Sequence, residues 1–170
     1  MRIAIDALGG DFAPTEVLRG LSQALLSKEF SSDQILLVGP ETEIEQFLRK
    51  EGVQDIPEIL HTDQVIEGHE KPIQGLKAKP KASISLCVGA VKKGAADALI
   101  AFGNTGAAVA AASMGLGMLP GIRRPGISVV LNGAAGRFVF LDAGANPAPK
   151  VEHLFQYGMM GDAYARDIIG

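Results

Sequence analysis

Apolar residues take two alternating textures along the first hundred positions. Short continuous runs at residues 2–6 (RIAID) and 34–38 predict an apolar strand and a buried strand, and Ile59 and Leu60 with their neighbours are a candidate for a third strand. Between these runs the apolar residues recur at helical spacing. Val17, Leu21, Ala24 and Leu25 predict an amphipathic helix over residues 14–28, with Pro14 as its first residue. Gly39 and Pro40 start a second helix, with Glu41 and Glu43 in its first turn, Arg49 and Lys50 in its last, and Gly52 closing it. A third helix runs from Ser83 to Lys93 and stops at Gly94. Residues 98–102, apolar on both faces, predict another buried strand, and the alanine-rich run that follows predicts a helix. Strands alternating with helices over short connections imply a parallel sheet covered on both faces.

Three stretches depart from that texture. Residues 62–82 are polar and lysine-rich and predict a long surface excursion with a helical turn or two at residues 73–77. Residues 127–131 and 138–141 are apolar runs separated by Asn132, Gly133 and Gly136, the spacing of a hairpin, so part of the sheet is expected to be antiparallel. Pro147 and Pro149 then lead into a final helix whose inner face is expected to carry Val151, Leu154, Phe155 and Gly158. The expected class is α/β, a three-layer α/β/α arrangement with a mainly parallel sheet and an antiparallel hairpin, all in one domain of residues 1–170.

Composition narrows the function. A net charge of −3, a pI near 5.6, few aromatics and no Trp argue against a nucleic-acid partner. The single cysteine, Cys87, lies in an apolar stretch and reads as a small buried hydrophobe; with no second cysteine for a disulfide within the chain, a reducing cytoplasm is expected. No apolar segment follows Arg2 as in a leader, and the longest apolar run, residues 107–119, is too short and too rich in Ala and Gly to cross a bilayer. His61, His69 and His153 are scattered, so no metal constellation is visible; His153 reads as structurally placed rather than as an acid or base.

Three glycine loops follow apolar strands. Gly103-Asn104-Thr105-Gly106 joins a strand to a helix, so several first-turn N–H groups converge where the helix dipole favours an anion. Asn104 or Thr105 can cap that helix, and Gly106 keeps no side chain between a ligand and the backbone. Gly9-Gly10-Asp11 follows the first strand, and Asp142, Ala143, Gly144, Ala145 and Asn146 follow the last. If that last strand runs parallel to the others, all three loops share the carboxyl edge of the sheet, where α/β proteins hold ligands. Each also has a plain account as a glycine turn, and Asp6, Asp11 and Asp142 can cap a helix or bond backbone. The dinucleotide fingerprint fails, because Gly9-Gly10 lacks its third glycine and Pro14 fills the start of the helix. No Gly-Lys-Ser/Thr follows any of the loops either.

The opening MRIAIDALGGDFAP, the central AFGNTGA, GIRRPG, and LDAGAN followed by EHL and MG occur in that order. Together they resemble the phosphate acyltransferase family (acyl-carrier-protein:phosphate transacylases) of bacterial phospholipid synthesis, over about the N-terminal half of a typical member. The resemblance implies an isocitrate-dehydrogenase- or phosphotransacetylase-like fold and a homodimer in the cytoplasm. The remaining half would supply further site loops, dimer contact and a surface for peripheral membrane association. It implies an enzyme that moves a fatty acyl group from the carrier-protein thioester to inorganic phosphate, with acyl-carrier protein and phosphate as partners and no cofactor or metal. Carried onto this chain, Asn104, Thr105, Asp142, Asn146 and Lys79 are the expected catalytic residues. Gly9, Gly10, Asp11, Gly103, Asn104, Thr105, Gly106, Gly144 and Lys77 are the expected phosphate-binding ones. Phe12 stands where many members have histidine. The residues alone also admit a non-catalytic phosphate- or nucleotide-binding domain, and more remotely the cofactor half of a dehydrogenase.

Overall fold

The computed structural model describes residues 1–134 and 136–170. They cluster into two compact units, Met1–Gly117 and Met118–Gly170. In the first unit, β1 (Ile3–Asp6), β2 (Ile35–Gly39), β3 (Glu58–His61) and β4 (Ala98–Ile100) form a parallel sheet in the order β3-β2-β1-β4. Ile3 stands level with Ile35 on one side and Ala98 on the other. Helices α1 (Thr15–Leu26), α2 (Glu41–Lys50), α3 (Pro72–Ala78), α4 (Ser83–Lys92) and α5 (Thr105–Leu116) make the connections.

Alternation along the strands divides the core between two faces. Ile5, Ile35 and Leu37 pack with Leu18 and Leu21 of α1 and Ile44 and Leu48 of α2. Their neighbours Ala4, Leu36 and Val38 pack with Cys87 and Ala90 of α4. Helices therefore cover both faces, and the α/β/α layering follows from apolar runs that have no polar face. A third cluster joins Ile66 and Leu76 to Ile84 and Val88 of α4 and Ala107 and Ala111 of α5. The small residues of α5 allow this closeness: a Cβ on Gly115 would collide with a Val88 methyl carbon.

The fourth strand departs from expectation. It ends at Ile100, and Ile100 and Phe102 are 39% and 61% exposed, not buried on both faces. Among the described residues β4 pairs with β1 alone, so it is an edge strand with one side uncovered. In the polar excursion α3 is longer than one turn and carries Pro72 at its first position. The stretch before it is tied down, since the Thr62 hydroxyl donates to the Lys81 carbonyl (2.7 Å) and Ser83 N–H to that of Gln64 (2.8 Å).

In the second unit, β5 (Val129–Gly133) and β6 (Gly136–Phe140) form the hairpin, antiparallel with Val129 opposite Phe140. The two strands make a sheet of their own and are not strands of the parallel one, which corrects the expectation of a single mixed sheet. Helix α6 (Val151–Tyr164) follows. Its expected inner face is turned out: Val151, Leu154 and Phe155 are exposed, while His153 and Tyr157 are buried. The cause is polar. Tyr157 and Gln156 reach the 121–126 and 142–146 stretches by hydrogen bonds, and that sets the rotation of the helix. Among the described residues no helix is long and apolar enough to cross a membrane.

Candidate functional site

In the first unit the chain proceeds from β1 outward to β2 and β3, then returns to place β4 on the other side of β1. The carboxyl ends of β1 and β4 are therefore the switch point of the sheet, where the following loops diverge and leave a crevice. The two loops meet there on glycine. A Cβ on Gly103 would lie 2.9 Å from Gly9 Cα, and one on Gly9 would lie 3.0 Å from the Gly103 nitrogen. Gly10 has φ +125°, which other residues rarely adopt, and this turns the loop back against Phe102.

Asp6, the last residue of β1, shapes the first loop. Its Oδ1 accepts from the N–H groups of Leu8 (3.1 Å) and Gly9 (3.0 Å), and the side chain is buried. Burial pushes its carboxyl above the ordinary carboxylate value, while Ser83 beside it and the two amides pull the other way. Cys87 lies close by on α4; burial first, then the charge of Asp6, pushes its thiol up, so it is held as a thiol and not as a nucleophile. A cavity of about 10 Å³, room for roughly one water, is lined by Asp6, Gly9, Gly103 and Asn104 among others.

The second loop leads into α5. Asn104 is the N-cap: its Oδ1 accepts from Ala107 N–H at 2.9 Å. Its Nδ2 donates to the carbonyls of Glu67 and Glu70, each at 3.0 Å, and lies 3.4 Å from that of Gly68. Both ends of the amide are thus engaged within the protein. Thr105 and Gly106 are exposed in the first helical turn, where an α-helix leaves N–H groups without an intrahelical acceptor. Space above Gly106 is taken by the Pro72 ring, 2.7 Å from where a Cβ would stand.

Lys79 holds the same 65–70 segment from the other side. Its Nζ donates to the Val65 carbonyl (2.8 Å) and to Glu70 Oε2 (2.7 Å), and Glu70 Oε2 also accepts from Glu67 N–H (2.8 Å). These hydrogen bonds, that from Lys79 foremost, hold the Glu70 carboxyl below its ordinary value. Lys77 is exposed on α3. Gly9, Gly10, Gly103, Asn104, Thr105 and Gly106 therefore gather at one strand edge, and Asp11 lies exposed in the first of their loops.

Asp142, Gly144 and Asn146 belong to the second unit, where β6 pairs antiparallel with β5; the condition of a last strand parallel to the others is not met. There the Asp142 carboxylate accepts from four backbone N–H groups, those of Ile127 (2.8 Å), Gly144 (3.3 Å), Ala145 (3.0 Å) and Asn146 (2.8 Å). Burial by itself would raise its pKa, but the four donors bring it below the ordinary value. Asn146 Nδ2 donates to the Pro125 carbonyl (2.9 Å) and to Tyr157 Oη (2.6 Å). Buried His153 accepts at Nδ1 from Lys150 N–H (3.2 Å), a helix-start contact.

Sequence reasoning missed Glu67 and Glu70 as the anchors of Asn104 and Lys79, the burial of Asp6, and the exposure of Phe102. Local pattern holds no signal for the first, since the partners lie 34 and 37 residues from Asn104. For Asp6, a carboxylate at the end of an apolar strand, three residues before a glycine pair, is the available hint. Chemically, the first unit offers backbone donors at a helix start, beside two loops that glycine lets close on one another, an arrangement suited to a small anion.

All of residues 1–170 match a family model described as fatty acid synthesis protein. The chain is 45% identical over 170 residues to a protein named phosphate acyltransferase from Desulfitobacterium hafniense (strain DSM 10664 / DCB-2), covering 100% of this chain and 50% of that one. It is 44% identical over 171 residues to one of the same name from Bacillus cytotoxicus, covering 100% and 50%. With the one from Listeria welshimeri it shares 42% over 169 residues, covering 99% and 49%. The chain spans about half the length of the curated relatives it matches.

Proposed function

The chain belongs to the fatty acid synthesis protein family, and from that premise we propose that it carries the phosphate-side half of an acyl transfer. A fatty acyl group moves from the thioester of acyl-carrier protein to inorganic phosphate, giving acyl phosphate for phospholipid synthesis. The observation that supports this reading most is the Gly9–Gly103 junction at the switch point, beside the free first-turn amides of α5.

In the proposed reaction a phosphate oxygen attacks the thioester carbonyl carbon. The tetrahedral oxyanion collapses, the C–S bond breaks as the C–O bond stays, and the thiolate leaves to take up a proton from solvent. The N–H groups of Thr105 and Gly106 and the Thr105 hydroxyl hold the anion, with the Gly9 and Gly10 backbone as the opposite wall, Asp11 beyond it, and Lys77 of α3 adding positive charge to the unit. Asn104 and Lys79 contribute by fixing the 65–70 segment at the start of α5. Asp142, Gly144 and Asn146 shape a second loop in the other unit, which we assign to substrate orientation. The same reading sets the protein in the cytoplasm as a homodimer with peripheral membrane contact, and makes this chain one part of a longer enzyme.

The test uses Thr105→Pro and Thr105→Val in the full-length protein. Proline is well tolerated at the first helical position, and Asn104 already has an extended ψ of 105°, so Pro removes the N–H and hydroxyl while keeping the helix. Thiol release from acyl-carrier thioester should depend on phosphate, with acyl phosphate seen by phosphorus NMR. Thr105→Pro should slow it about a hundredfold, the scale of one lost oxyanion donor, and Thr105→Val less. A rate unchanged by Pro would refute the assignment, and phosphate binding with no thiol release would favour a non-catalytic binding domain.

A further inference from the structure

Phe12 and Phe102, in the loops that follow β1 and β4, are 76% and 61% exposed. They flank a cleft of about 320 Å³ floored by Gly10 and Val17, at the low end of the range of about 300–1,000 Å³ for ligand sites. The cleft shares Gly9 with the small cavity at the switch point, so one end of it lies against the Gly9–Gly103 junction. Gly10 runs alongside Phe102, so that even an added Cβ on it would only reach van der Waals contact with the Cβ of Phe102, at 3.5 Å.

Resting on the acyl-transfer reading, we propose that this cleft holds the alkyl chain of the acyl substrate, with its carbonyl end at the Gly9–Gly103 junction. Charge gives the direction. Asp11 lines the cleft and repels an anion, while Glu16 beside it is paired with Arg19; the first-turn amides of α5 attract one. A molecule with an anionic head and an apolar tail is accepted in one orientation only. The aromatic walls suit a saturated chain because they offer area and no hydrogen-bonding group that a chain would leave unpaired. Phe12 and Phe102 are then chain-length-determining residues.

Linear alkylphosphonates from methyl to decyl, titrated calorimetrically into the full-length protein, test this without turnover. Affinity should rise by up to about fourfold per methylene while the chain stays in the cleft. Phe12→Ala and Phe102→Ala should each lower the ratio of decyl to methyl affinity about tenfold, and Phe12→Leu should restore part of it. Both rings are exposed, so their truncation leaves the core intact. A ratio unchanged in both alanine variants, or no gain with chain length in the parent, overturns the cleft assignment alone. Failure of methylphosphonate and phosphate to bind at all overturns the anion-site reading, and the cleft with it.

Discussion

Asn104→Ala is expected to destabilise the first unit by much more than the loss of a helix cap. The cap itself, Oδ1 accepting from Ala107 N–H, contributes about 1 kcal/mol. The two Nδ2 hydrogen bonds to the Glu67 and Glu70 carbonyls, both at 3.0 Å, contribute about 1 kcal/mol each. The third contact, to Gly68, is long enough at 3.4 Å to neglect. Alanine should therefore lose about 3 kcal/mol. Serine separates the contributions: it can still cap, but it is too short to reach the 67–70 carbonyls, so Asn104→Ser should lose about 2 kcal/mol. Urea unfolding followed at unchanged slope measures both. Hydrogen exchange localises them: both variants should speed exchange at Glu67 and Glu70, whose N–H groups close the tied turn, and only alanine should speed it at Ala107. A loss within about 1 kcal/mol for alanine with no change at Glu67 or Glu70 would refute the argument, because it would leave Asn104 as a cap and nothing more.

Two further changes probe the walls of the crevice. Asp6 has a folded pKa above its unfolded one, so the native state takes up a proton more readily than the unfolded chain, and its contribution to stability declines as pH rises through the raised value. Asp6→Asn, whose amide oxygen can still accept from Leu8 and Gly9, should remove that decline. Urea midpoints from about pH 4 to about pH 7 should show the variant gaining on the parent as pH rises, and a difference that shrinks with pH would contradict the burial argument. Gly103→Ala should cost about 1–3 kcal/mol, since its Cβ would meet Gly9 backbone at 2.9 Å and the two loops must part. Gly20→Ala, mid-helix in α1 with nothing within 4 Å of the added Cβ, should instead stabilise by about 1 kcal/mol in the same assay; equal losses at both glycines would refute the close-contact reading.

Local pattern was enough for most of the framework. The RIAID run, the 3.6-residue recurrence of Val17, Leu21 and Leu25, and the charges bracketing residues 41–50 each describe one element by its own periodicity and ends, and β1, α1 and α2 form there. The glycine loops after β1 and β4 were legible for the same reason, because a strand that breaks on glycine before a helix is a local event. What tertiary structure decided is where polar groups spend their hydrogen bonds. Asn104 is a competent cap in any context, but its amide nitrogen and the ammonium of Lys79 close on the 65–70 segment only because α3 brings that segment to the start of α5. Periodicity also leaves open which side of an apolar element is covered. Residues 98–102 have the same texture as a central strand, yet β4 is at the edge and Phe102 faces outward. Helix α6 carries an apolar stripe of Val151, Leu154 and Phe155, yet the bond from Asn146 to Tyr157 turns in the face that carries His153. Burial depends on neighbours far away in the chain, and a single sequence records its own residues but not the surfaces they meet.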